Sequence, residues 1–150
     1  METMLRKVLL PPVITSDVME TEPVEVTEIQ AWYFNRIIGG RYDRSAKALL
    51  SECQKIEQIL GRQDKGLRKA RTADIDILLF GTEVIATPLL TVPHPSLLTR
   101  RFCMEGLLQV MPDAKIGGIT GKTVARYYAL MNKTVKEQRM RFIEYEGTMK

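Results

Sequence analysis

The 150-residue sequence has one histidine, one tryptophan and two cysteines, and these scarcities close off several kinds of chemistry. Cys53 and Cys103 stand alone without metal-ligand spacing, so they read as a pair of free thiols in a cytoplasmic protein. With His94 as the sole histidine, no Ser-His-Asp or Cys-His arrangement for nucleophilic catalysis is legible. No apolar run approaches the roughly 18 to 20 residues that span a membrane. Met1 to Leu10 has Glu2, Arg6 and Lys7 inside its apolar stretch and no small-residue cleavage site, which does not fit a signal peptide. There are no repeats, low-complexity tracts or long linkers, so residues 1–150 are expected to form a single domain.

What is present is ordinary globular material: 45% hydrophobic and 27% charged residues, enough apolar content for a core and too much for disorder. The net charge is +4, which suits any polyanion, whether nucleic acid, anionic membrane or nucleoside triphosphate. Much of the excess lies in Lys133, Lys136, Arg139 and Arg141, where a solvated helix face or tail is the plain reading.

Pattern and punctuation give the elements. Thr3 to Leu10 reads as a short helix stopped by Pro11-Pro12. Val13 to Met19 and Ala31 to Ile38 read as strands, the second closed by Gly39-Gly40. Ser45 to Leu60 carries Ala46, Leu49, Leu50, Cys53, Ile56 and Leu60 at helical spacing, and Gly61 is a natural stop. Ala73 to Phe80 reads as a strand followed by a Gly81-Thr82 turn. Helices are expected over Leu97–Val110 and Lys122–Met131, with a turn at Gly117-Gly118 between them. This order predicts an α+β sandwich with helices packed on an antiparallel sheet.

Asp74-Ile75-Asp76-Ile77 holds the most chemistry. In a strand the side chains alternate, so Asp74 and Asp76 share one face while Ile75 and Ile77 take the other. Two carboxylates that close repel each other unless a cation sits between them. Mg²⁺ accepts one or two carboxylates together with substrate phosphates, so Asp-x-Asp is a sensible clamp for a phosphoryl donor. The bland alternative is two acids on an exposed strand face, neutralised by the nearby Arg62, Arg68, Lys69 and Arg71.

At this point the chain resembles the hydroxymethyldihydropterin pyrophosphokinases of folate biosynthesis. Ala70-Arg71-Thr72-Ala73-Asp74-Ile75-Asp76 followed by Ile77-Leu78-Leu79-Phe80-Gly81 is similar to that family's Pro-Arg-Thr-x-Asp-x-Asp run, with Ala70 for proline. Val92-Pro93-His94-Pro95 with Arg100 and Phe102 follows at the family's spacing. Upstream lie Thr21-Glu22-Pro23, Tyr33-Phe34-Asn35, Gln54 with Glu57, and Gly61-Arg62.

The resemblance implies a ferredoxin-like αβ sandwich and transfer of pyrophosphate from ATP to the hydroxymethyl group of the reduced pterin, releasing AMP. It implies that Asp74 and Asp76 hold two Mg²⁺ ions and that Arg62 and Arg71 stabilise charge at the attacked phosphorus. His94 and Arg100 would contact phosphates, and Gln54, Ile77 and Thr91 would seat the nucleotide. Tyr33 and Phe102 would sandwich the pterin, with Asn35 and Thr21 at its polar edge; Glu57 is a weaker correspondence. The implied partners are small molecules, with no nucleic acid and no membrane.

Two departures qualify it. Family members open with a strand and a Gly-Ser-Asn-type turn, and nothing in Met1 to Leu10 matches them. On that basis the first strand is expected to be missing, which leaves open a truncated form that binds nucleotide without turnover, a re-packed monomer, or a segment-swapped dimer. Gly66-Leu67-Arg68-Lys69-Ala70 also lacks the family's Trp and Gly-Pro, so closure of that loop is expected to be weaker. A basic nucleic-acid-binding module is the reading from a different class, but no aromatic–basic stripe or recognition helix supports it.

Overall fold

A computed structural model describes residues 1–22, 33–63, 74–118 and 121–143. Helix α1 (Glu2–Val8) leads into strand β1 (Leu10–Thr15), which pairs antiparallel with β4 (Ile38–Arg41). Strand β2 (Met19–Thr21) lies between β3 (Tyr33–Asn35) and a late strand, β7 (Met140–Phe142), both antiparallel to it. A small ladder joins β5 (Ile85–Ala86) to β6 (Thr91–Val92). The helices are α2 (Ala46–Gln63), α3 (Arg101–Val110), α4 (Val124–Ala129) and α5 (Lys133–Lys136), with a 3-10 turn at Pro95–Leu97. The α+β class and its antiparallel pairing agree with the sequence. Among the described residues no helix is long and apolar enough to cross a membrane.

Local chemistry explains where element boundaries moved. Pro11 and Pro12 do not precede a strand; they lie inside β1, with Leu9 already extended. The register slips between Leu10 and Ile14, where two residues without an N–H cannot keep a ladder. The expected strand Val13–Met19 is broken at Ser16, which is buried and uses its hydroxyl to accept from the Ile37 N–H at 2.9 Å. Gly39 and Gly40 lie within β4 and do not close a strand. A Cβ on Gly39 would meet Val110 Cγ1 at 2.5 Å, so glycine is what admits α3 so close to the sheet.

Helix α2 starts as expected, with Ser45 Oγ accepting from the Ala48 N–H at 3.1 Å. It runs past Gly61, where an added Cβ would meet nothing, so the glycine did not act as a stop. The expected helix over Leu97–Val110 divides into the 3-10 turn and α3, and α4 is shorter than its pattern, capped by Thr123.

The largest correction concerns residues 74–80. The described residues there form no strand ladder. Their alternation nevertheless survives: Asp74 and Asp76 are exposed and Ile77 is buried. The segment runs between two apolar clusters. Ile75, Ile77 and Phe80 pack with Leu49, Cys53, Ile56 and Val92 under α2. Leu78 and Leu79 pack on the other cluster, built on Met19, Leu97, Met104, Ile116 and Val124 beneath α3. Side-chain burial of this kind, at about 1.5–3 kcal/mol per large apolar group, holds the segment in place of ladder bonds.

Candidate functional site

Two tethers fix the acidic segment. Glu57, on the inner side of α2, accepts the Ile75 N–H with Oε2 at 2.7 Å, midway between the two aspartates. The Leu78 carbonyl accepts the His94 N–H at 2.9 Å, tying in the Val92–Pro95 loop. His94 Nδ1 accepts the Ser96 N–H at 3.0 Å, which leaves Nε2 as the protonated nitrogen of the neutral ring. That Nε2 faces Asp76 Oδ1 at 3.8 Å. Asp76 and His94 therefore face each other across the site.

The second group sits on the β3–β2–β7 sheet and the start of α3. The register opposes Thr21 to Tyr33 and Met19 to Asn35, so Tyr33 and Asn35 project on the same face as buried Thr21. Asn35 Nδ2 donates to Thr21 Oγ1 at 2.8 Å, which orients the amide. Phe102, in the first turn of α3, lies under the Arg100 guanidinium, whose Cζ is 5.1 Å from the ring centroid. A small cavity of about 40 Å³ opens among Thr21, Glu22, Arg100, Phe102, Gln138 and Met140.

Adjacent arginines at this corner divide their tasks. Arg101 is occupied: Nε reaches Glu105 at 3.0 Å and Nη1 donates to the Gln138 carbonyl at 3.0 Å. Arg100 Nε is buried and has no hydrogen-bond partner among the described residues, a vacancy that an anionic oxygen would fill. In α3, burial pushes the Cys103 thiol up to about 12, with Arg100 pulling down and Asp76 pushing up.

The remaining expected residues divide. Thr91 is exposed on β6, and Gln54 is exposed on α2 one turn before Glu57. The Ile77 side chain is core, so only its backbone is left to meet a ligand. Arg62 lies in the last turn of α2, but its side chain lies outside the described residues, as does the whole of residues 64–73, Arg71 among them. Among the described residues no cluster of three or more acids, histidines or cysteines forms a closed metal cage. Two exposed carboxylates fit an open site for a hard ion completed by phosphates. The residue that sequence reasoning undervalued is Glu57. Its position in Gln-x-x-Glu was visible, but its grip on Ile75 joins positions 18 apart in the chain.

A sequence model of the 7,8-dihydro-6-hydroxymethylpterin-pyrophosphokinase (HPPK) family matches residues 2–112. The chain belongs to this family. It is 39% identical over 108 residues to a 2-amino-4-hydroxy-6-hydroxymethyldihydropteridine pyrophosphokinase of Bacillus subtilis, covering 72% of this chain and 64% of that one. It is 36% identical over 103 residues to the Aquifex aeolicus protein of the same name, covering 63% and 64% of the two chains. It also matches part of a folate synthesis bifunctional protein of Arabidopsis thaliana, 35% identical over 112 residues, with 74% of this chain and 22% of that one covered. The chain thus spans less than two thirds of the length of these HPPK relatives. The HPPK match takes in both groups of site residues and ends before α4, α5 and β7.

Proposed function

We propose that this HPPK-family chain transfers pyrophosphate from ATP to the hydroxymethyl group of 6-hydroxymethyl-7,8-dihydropterin. The hydroxymethyl oxygen bonds to the β-phosphorus, the bond from that phosphorus to the oxygen bridging the α-phosphate breaks, AMP leaves, and the hydroxyl proton is released. The observation that carries this reading is the exposed carboxylate pair Asp74 and Asp76 with the sole histidine facing it, His94 Nε2 lying 3.8 Å from Asp76 Oδ1.

Each residue then has a physical task. Asp74 and Asp76 hold Mg²⁺, two ions in this reading, which when bound neutralises triphosphate charge. His94 donates from Nε2 to a phosphate oxygen, with Ser96 fixing its tautomer. Arg100 offers its Nε, without a partner among the described residues, to another. Arg62 and Arg71 are assigned to charge that develops around the β-phosphorus, and Gln54, Thr91 and the Ile77 backbone to the nucleotide. Tyr33 and Phe102 take the faces of the flat pterin ring, while Asn35 and Thr21 address its polar edge. No nucleophilic side chain is needed, because this transfer depends on positioning and charge neutralisation.

A second reading, nucleotide binding without turnover, draws support from the acidic segment, which carries both carboxylates with no ladder among the described residues. AMP release from ATP separates the two. Release that requires both Mg²⁺ and the hydroxymethyl pterin is the expected result. Mg²⁺-dependent ATP binding with no AMP would leave binding alone, and neither binding nor release would refute both readings.

A further inference from the structure

The first turn of α3 has an N-terminal problem that its own sequence does not solve. Arg100 occupies the N-cap position and makes no side-chain cap bond, and the opening N–H groups of a helix have no partner within it. Gln138, in the segment leading into β7, supplies the missing group from 37 residues away: its Oε1 accepts the Arg101 N–H at 2.9 Å. The same side-chain amide donates from Nε2 to the Thr99 carbonyl at 2.7 Å. The Gln138 backbone carbonyl accepts from Arg101 Nη1 at 3.0 Å. One residue therefore holds the backbone on both sides of Arg100. Its neighbour Arg139 accepts the Glu22 N–H at its carbonyl, 3.2 Å, which fastens the end of β2 beside Thr21 to the same segment.

We propose that Gln138 is a positioning residue for the transfer reaction, setting Arg100 for the phosphates and Phe102 for the pterin through the first turn of α3. This rests on the reading of the site given above. Gln138 lies beyond the residues matched by the family, so the brace belongs to a part of the chain to which that match assigns nothing. The amide is chemically specific. It must accept on one side and donate on the other; leucine does neither, and glutamate keeps only the acceptor.

Gln109 supplies the control. At the far end of α3 it braces the same helix, with Oε1 accepting the Asp17 N–H at 2.7 Å, away from Arg100 and Phe102. The 150-residue chain is assayed for AMP release and for Mg-ATP and pterin binding by calorimetry, as wild type, Gln138→Leu, Gln138→Glu and Gln109→Leu. Displacing positioned groups by a fraction of an ångström predicts a loss of about tenfold in kcat/KM for Gln138→Leu. Gln138→Glu should recover part of the loss, and Gln109→Leu should keep wild-type kinetics even where its melting temperature falls. Kinetics for Gln138→Leu equal to wild type, or an equal loss in Gln109→Leu, would overturn the brace while leaving the site reading intact. If Gln138→Leu does not fold, the Gln138→Glu comparison with Gln109→Leu decides the matter. A wild-type chain that neither binds nor turns over these substrates would overturn the reading of the site, and this proposal with it.

Discussion

The two halves of the site are built differently. Around Thr21, Asn35 and Phe102, side chains stand on paired strands and on a helix braced by Gln138 from the segment before β7 and packed closely against Ile37 and Met19 at Gly106. Around Asp74 and Asp76, the backbone has no ladder among the described residues and is held by Glu57, by His94 and by apolar neighbours on either side. The contrast separates two ways of placing a functional group. A ladder fixes many side chains together and links their positions to global stability. A tether fixes a few groups locally, so its loss is read in activity more than in the melting temperature.

The largest expected break in that comparison is Asp76→Ala. Asp76 is 65% exposed, so the fold should melt as wild type does, while turnover falls by roughly 10³-fold on loss of a charge-organising group. Normal AMP release in that variant would remove the carboxylate from the mechanism. On the other half, Gly106→Ala would drive a Cβ into Ile37 Cγ1 and to 3.0 Å from Met19 Cε. Overpacking there should lower unfolding free energy by about 1–3 kcal/mol in urea titration. Unchanged stability would mean the helix and sheet approach less closely than described.

Glu57→Leu tests the tether directly, leaving the Ile75 N–H without its acceptor. The expected stability loss is about 1 kcal/mol, accompanied by a larger proportional loss of turnover than Gly106→Ala produces. If the two variants lose turnover equally, the two halves are not distinct in this sense.

The smallest expected effect comes from the thiols, which report each half separately. Burial pushes Cys53, under the acidic segment, up to about 11, and Cys103, in α3, to about 12, from an ordinary 9.0. Because the folded values lie above the unfolded one, this contribution to stability is intact below pH 9.0 and is lost as pH rises through about 11 to 12. Alkylation at about pH 8 should be slow in the folded chain and fast in denaturant. Cys53 should react before Cys103 if the tethered half opens first. Equal rates would show that both halves open as one unit.

How much of this was legible follows from the range of each interaction. Helix α2 was readable from its spacing and its Ser45 cap, because both are local. Asp74 and Asp76 were readable as a pair on one face, and their alternation persisted without a strand. The missed boundaries at Pro11-Pro12, Gly39-Gly40 and Gly61 share a cause. Proline and glycine indicate what a backbone can tolerate, and only the neighbouring elements decide whether that tolerance is used for a turn, a bulge or a close approach.

By itself the sequence determined the α+β class, the family, and the identity and spacing of the groups that the proposed function assigns to phosphate and pterin. These follow from side-chain chemistry and short-range periodicity. Tertiary structure decided that, among the described residues, 74–80 run as a tethered segment without a ladder, Arg101 is bound while Arg100 Nε has no partner, Ile77 is core, and Gln138 caps α3. The physical reason is that a backbone hydrogen bond needs a partner in space, and the partners of Ile75, Arg101 and Thr99 come from distant parts of the chain.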